Sequence, residues 1–254
     1  MKWKILLKKE LGQQAEFANL SSKEIKKRIS EINVLSENYD TVLSLDLPHY
    51  CSGATEACGG KAGWCYTFQG FQALPNHISK VAFVDYCIKR YPECMADKVV
   101  KEINIALFKK KIPYPNLRFS GSGEITHHHL PLIDILIKNG INIWGFTKNV
   151  DIAVKLKKIG ASVIFSYDRT SSYDNVQRAV SAGIALGYTS SGVFDSPIEK
   201  AFVVFPLHKG GKVLEVLDHP KLCPKVVDEF LSGKRNAGSC QLICNRCHFP
   251  ENLN

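Results

Sequence analysis

At 254 residues with 45% hydrophobic content, the chain is long enough for one large buried core, which excludes a disordered or fibrous protein. No run of eighteen apolar residues occurs, and the lysine-rich start, Met1 to Glu10, lacks the apolar stretch and cleavage site of a secretory signal, so a soluble cytoplasmic protein without membrane contact is expected. The formal charge of +9 would draw an anionic partner or nucleic acid, although stretches such as Lys23–Arg28 and Lys109–Lys111 also read as solvated helix faces.

In chain order, Ser21-Ser22-Lys23-Glu24 has the form of a capping box, and Ile25, Ile29 and Ile32 follow at helical spacing, predicting a helix over 21–33. Thr41–Leu47 is a short β-prone run that delivers the chain to Pro48 and the first cysteines. The segment from Ser79 to Met95 reads as a helix on which Cys87 and Cys94 share a face two turns apart, with Pro92 inside it. From Leu117 onward, strands near 117–120, 141–146, 162–166, 184–188 and 201–205 alternate with helical segments. Ile152, Leu156 and Ile159 share one helix face, and Asn139-Gly140 and Gly160 stand where helices should end.

Strand alternating with helix implies a parallel sheet, either doubly wound or an incomplete barrel. With Thr41–Leu47 counted first there are six strands, and the fold expected is α/β, a partial (β/α)6 TIM-like barrel. After Phe205 the pattern decays through Pro206 and Gly210-Gly211 into a strand at Val213–Leu217 and a loop-rich tail. The division expected is a helical segment over 1–40, the partial barrel over 41–206 and a cysteine-rich extension over 207–254.

Nine cysteines cluster at 51, 58 and 65, at 87 and 94, and at 223, 240, 244 and 247. In a reducing compartment, clustered thiols bind metal or do redox work more often than they form disulfides. Cys51, Cys58 and Cys65 form C-x6-C-x6-C in a loop rich in glycine and alanine, just after the first strand. Parallel α/β proteins carry their sites there. A cubane [4Fe–4S] cluster takes four cysteines, so three leave one iron open to an exogenous ligand. Zinc completed by His49, a cluster completed by Cys87 or Cys94, and simple burial are the alternatives at this stage.

Cys223, Cys240, Cys244 and Cys247 form C-x16-C-x3-C-x2-C, the four thiolates of a closed site. Only seven residues follow Cys247, too few for a cofactor-binding barrel after it. A second [4Fe–4S] cluster is favoured over structural zinc because the same chain already offers an iron site, with His248 a neighbour rather than a ligand. Either metal would staple a tail that has little core of its own. Three adjacent histidines, His127, His128 and His129, cannot all face one metal from a helix or strand, and His127 is taken as the one nearest the pocket. Hydrolase and nucleotide triphosphatase readings find no Gly-x-Ser-x-Gly elbow, no phosphate loop and no His-Glu-x-x-His helix to rest on.

The run from Cys51 to Tyr66, then Leu117-Arg-Phe-Ser-Gly-Ser-Gly-Glu124, Ile143-Trp-Gly-Phe-Thr-Lys148, and Cys223-Pro224 with Cys240, Cys244 and Cys247 resembles the phage and plasmid family known as gene product 88. More distantly it is similar to the radical S-adenosylmethionine superfamily. The triad is more widely spaced than the C-x3-C-x2-C usual in that superfamily, and Ser122 stands where a second glycine is usual. The resemblance implies that Cys51, Cys58 and Cys65 hold the cluster and that Trp64 or Tyr66 lies near the adenine. It implies that Gly121, Ser122, Gly123 and Glu124 hold the methionine amino group, with Thr147, Ser166 and Tyr167 lining the rest of the pocket. A low-potential electron donor would then reduce the cluster, and cleavage of S-adenosylmethionine would give a 5′-deoxyadenosyl radical that acts on a substrate the sequence does not name. The opposing readings are a zinc-stabilised nucleic-acid-binding protein and a non-catalytic iron–sulfur electron carrier.

Overall fold

The structure is a computed structural model, and it describes residues 11–38, 42–48, 51, 53–55, 74–168, 170–190 and 203–206. Helix α1, Ser22–Glu31, begins as the capping box requires: the Ser21 hydroxyl accepts the Glu24 N–H, and the Glu24 carboxylate accepts the Ser21 N–H at 2.8 Å. Ile25 and Ile29 face the core, while the Arg28 guanidinium lies 5.1 and 4.5 Å from the ring centres of Phe17 and Phe83. Beyond α1, the N–H groups of Val34 and Leu35 both donate to the Glu102 carboxylate at 2.9 Å. This turns the chain into β1, Ser36–Asn38, a short strand antiparallel to β2, Val42–Leu45. Sequence periodicity does not reveal β1, because Ser-Glu-Asn has no apolar alternation.

Two helices follow, α2 at Pro75–Arg90 and α3 at Pro92–Phe108. The single helix expected over Ser79–Met95 is therefore broken. Pro92 has no N–H to continue the ladder and begins α3 instead, with Tyr91 between the two helices at φ −140° and ψ 53°. Cys87 and Cys94 thus lie on different helices. Cys87 is wholly buried, and that burial pushes its thiol up to about 12.

The remaining elements are β3 (Asn116–Phe119), a 3-10 turn (His127–His129), α4 (Leu130–Lys138), β4 (Asn142–Thr147), α5 (Val150–Lys158), β5 (Ser162–Tyr167), α6 (Tyr173–Ser181), β6 (Ala185–Ser190) and β7 (Val203–Pro206). Gly140 and Gly160 follow α4 and α5 at φ +78° and +92°, the left-handed conformation that stops a helix at little cost only for glycine. On α5, Ile152 and Leu156 are buried and Ile159 is half-buried.

The seven strands hydrogen-bond in chain order, β1 to β7, and β2 to β7 are all parallel. A doubly wound sheet reverses its strand order at a switch point, and this one does not. Right-handed crossovers then put α4, α5 and α6 on one face and bring the carboxyl ends of β2 to β6 to one edge. The sheet is open: among the described residues β1 and β7 do not pair with each other. Leu117, Phe119, Ile143, Val163 and Phe165 fill the core from the strands, and Phe17, Ile25 and Ile29 join the same core. Residues 11–38 are therefore packed on the sheet domain rather than set apart from it. Among the described residues no helix is long and apolar enough to cross a membrane. The expected strand at Val213–Leu217 and the boundary at 207 lie outside the described residues.

Candidate functional site

The carboxyl edge of the sheet is organised by a turn that folds back on the end of β2. After β3, the N–H groups of Ser120 and Gly121 both donate to the Leu45 carbonyl, at 2.9 and 3.2 Å, and Leu47 N–H donates to the Ser122 carbonyl at 3.0 Å. A side chain at Gly121 would run into the Ser44 hydroxyl and the Asp46 carboxylate. Gly123 sits at φ +76°, and a Cβ there would strike the carbonyls of Leu47 and Pro48. These two glycines are required by backbone approach. Ser122 is tolerated between them because its buried hydroxyl donates to the Leu47 carbonyl at 3.3 Å. Ser120, also left-handed at φ +66°, donates its hydroxyl to the Gly123 carbonyl at 2.9 Å, which fixes the turn from inside.

Glu124 leaves this turn as a buried residue, 5% exposed. The Thr147 hydroxyl, at the end of β4, donates to it at 2.6 Å, and the Lys148 N–H donates at 3.4 Å. Burial pushes the Glu124 carboxyl up to about 6, against the pull of these two donors and of the Lys148 ammonium. The Lys148 side chain runs on to Asp168, just past β5, with Nζ 2.8 Å from Oδ2. Burial by itself would raise the Asp168 carboxyl. The Lys148 ammonium, with hydrogen bonds from Lys148, Thr55 and Thr170, outweighs it and holds the group below its ordinary value.

Across this edge lies the beginning of the cysteine loop. Ala54 N–H donates to the Cys51 carbonyl at 3.2 Å, closing a turn. A Cβ built on Gly53 would come within 2.9 Å of the Lys148 carbonyl carbon and 3.1 Å of the Asn149 nitrogen. The Thr55 hydroxyl donates to Asp168 Oδ2. The loop that carries half-buried Cys51 is thus laid against the ends of β4 and β5.

Of the residues expected from the sequence, Gly121, Ser122, Gly123, Glu124 and Thr147 come together. Ser166 and Tyr167 are consecutive in β5 and so project to opposite faces. Tyr167 is buried with its ring edge-on to Tyr188 at 5.1 Å, and Ser166 is half-buried. Cys58, Trp64, Cys65 and Tyr66 lie outside the described residues, as do His49, Cys223, Cys240, Cys244 and Cys247. Sequence reasoning missed Thr55, Lys148 and Asp168, although Lys148 and Asp168 stand two residues beyond expected strand ends.

It also missed Asp85 on α2, whose carboxylate joins His128 and His129 to give three potential ligand atoms within 4.8 Å of one another. Both histidines place Nε2 at 2.8 Å from Asp85 Oδ1, and Gln14 donates to Oδ2 at 2.7 Å. His129 Nδ1 accepts the Thr126 N–H at 2.9 Å, so in the neutral ring the proton is on Nε2 and points at Asp85. Burial lowers the His129 pKa and favours that neutral ring. A metal-bound histidine donates its second N–H to an acceptor, whereas this one faces a donor. The group is a hydrogen-bonded clasp between α2 and the 3-10 turn that follows the glycine-rich loop. His127 does not approach the site: it is exposed beside Lys155, because successive side chains of a 3-10 turn splay about 120° apart.

Compared with known proteins, the chain matches no family model, no curated protein and no solved structure.

Proposed function

We propose that this chain is a radical S-adenosylmethionine-type iron–sulfur enzyme on a partial TIM-like (β/α)6 barrel, with a second metal centre in the C-terminal cysteine group. The observation that carries the reading is the meeting, at one sheet edge, of the Cys51 loop with the Gly121–Glu124 turn through Lys148 and Asp168. The donor chemistry fits: Cys51, Cys58 and Cys65 would supply three thiolates to a [4Fe–4S] cluster, and the Glu124 carboxylate suits an ammonium group. Trp64 or Tyr66 would lie at the adenine, and Cys223, Cys240, Cys244 and Cys247 would hold the second cluster. A cluster held there and reduced by a low-potential electron donor would supply the one electron needed to cleave S-adenosylmethionine to methionine and a 5′-deoxyadenosyl radical.

The chain's own residues bind and orient. Glu124, ionised above about pH 6, would accept the cofactor's ammonium, while the Thr147 hydroxyl and the Lys148 N–H hold the carboxylate in place. A net charge of +9 favours an anionic substrate, a nucleic acid among them. Anaerobic purification tests the metal assignment. Brown protein with about eight irons per chain, the content of two cubane clusters, supports it; colourless protein carrying zinc overturns it in favour of a zinc-stabilised binding protein.

A further inference from the structure

Lys148 serves two parts of the edge at once. Its backbone N–H donates to Glu124, and its side chain, 15% exposed, reaches Asp168, 4% exposed, whose Oδ2 also accepts the Thr55 hydroxyl. Asp168 is itself fixed: its Oδ1 accepts the Thr170 N–H and hydroxyl at 2.9 and 2.8 Å, and its N–H donates to the Ser171 hydroxyl at 2.9 Å. Gly53 lies against the backbone of Lys148 and Asn149 with no room for a side chain. Among the described residues the cysteine loop therefore meets the sheet edge through a backbone approach at Gly53 and through a charged hydrogen bond at Thr55.

We propose that Lys148 and Asp168 are positioning residues that latch the Cys51 loop onto the sheet edge through Thr55, so that the first cysteine of the triad and the Glu124 carboxylate are held in one fixed relation. The assignment of the triad to a cluster rests on the function proposed above; the latch itself does not need the metal. In a buried, paired arrangement of this kind, removing one partner leaves the other charge uncompensated, so the three residues act as a unit. A hydrogen bond to an ionised acceptor is stronger than a neutral one, so the Thr55 hydroxyl is a firm tie between this loop and the sheet edge.

Hydrogen exchange of the full-length chain, prepared with and without iron, tests this. The Ala54 amide, bonded to the Cys51 carbonyl, reports the loop locally, and the amides of β4 and β5 report the fold. Thr55→Val should speed exchange at 51–55 about tenfold, Thr55→Ser should restore the wild-type rate, and Lys148→Met should match Thr55→Val. Lys138→Met, which breaks the exposed Lys138–Asp134 pair, should leave the loop unchanged. Unaltered loop exchange in Thr55→Val, with β4 and β5 still protected, overturns the latch. Iron binding after anaerobic reconstitution separates the two claims. A wild-type chain that takes no iron yet shows the exchange pattern sinks the cluster and keeps the latch. An iron-loaded chain without the pattern does the reverse.

Discussion

Replacing Glu124 with glutamine isolates the energetic cost of a desolvated carboxylate at the candidate site. Burial raises the folded carboxyl from 4.5 to about 6, so the group's contribution to stability is fully present below pH 4.5 and is lost as pH rises through about 6. At about 1.4 kcal/mol per pH unit, full ionisation costs roughly 2 kcal/mol, more than half of it between pH 5 and pH 8. Glutamine keeps the packing: its carbonyl accepts the Lys148 N–H, and its amide donates to the Thr147 hydroxyl oxygen, which can turn to receive it. Urea unfolding of both proteins at several pH values is the assay. Relative to Glu124→Gln, the wild type should lose about 1 kcal/mol from pH 5 to pH 8. A difference that does not vary with pH would refute the placement of Glu124 in a dry, partly satisfied pocket.

Four further outcomes follow from the packing. Gly140→Ala should cost about 1 kcal/mol, the price of a left-handed backbone in open space, whereas Gly123→Ala should cost at least about twice that because its Cβ also strikes two carbonyls; equal losses in thermal unfolding would contradict the close approach. Asp85→Leu should destabilise by about 2–3 kcal/mol, since both imidazole N–H groups and the Gln14 amide would lose their acceptor, and added zinc should shift the melting temperatures of variant and wild type equally; a zinc effect lost in the variant would revive a metal at this clasp. Because the folded His129 pKa is lowered, stability present above pH 6.5 should fall as pH drops below it, and His129→Gln should flatten that fall in the same urea assay. Cys87, with its thiol at about 12, should resist iodoacetamide at pH 8 until the chain unfolds, as mass spectrometry of the labelled peptides would show.

The parallel strands and their helices were legible because each carries a strong local signal. The apolar run of β5, the i, i+4 pair Ile152 and Leu156, and the stop at Gly160 all act within a few residues. The break before Pro92 was visible as a proline, but its consequence for Cys87 and Cys94 depended on Tyr91 leaving the helix. β1 was hidden because its three polar residues become a strand only through Glu102, which receives the preceding N–H groups from α3.

At the site, the turn at Gly121–Glu124 and the strand end at Thr147 could be read in the sequence, since glycines and strand ends punctuate it. Lys148 and Asp168 could not be ranked above other charged residues until the sheet placed them side by side. Asp85 lies more than forty residues before the histidines it joins, so no spacing rule connects them.

The most direct test of the central claim measures 5′-deoxyadenosine after the anaerobically reconstituted, dithionite-reduced chain is mixed with S-adenosylmethionine. The account predicts product from the wild type and none from Cys58→Ala, which would retain only the C-terminal iron. An iron-loaded, reduced wild type that leaves S-adenosylmethionine intact would contradict it.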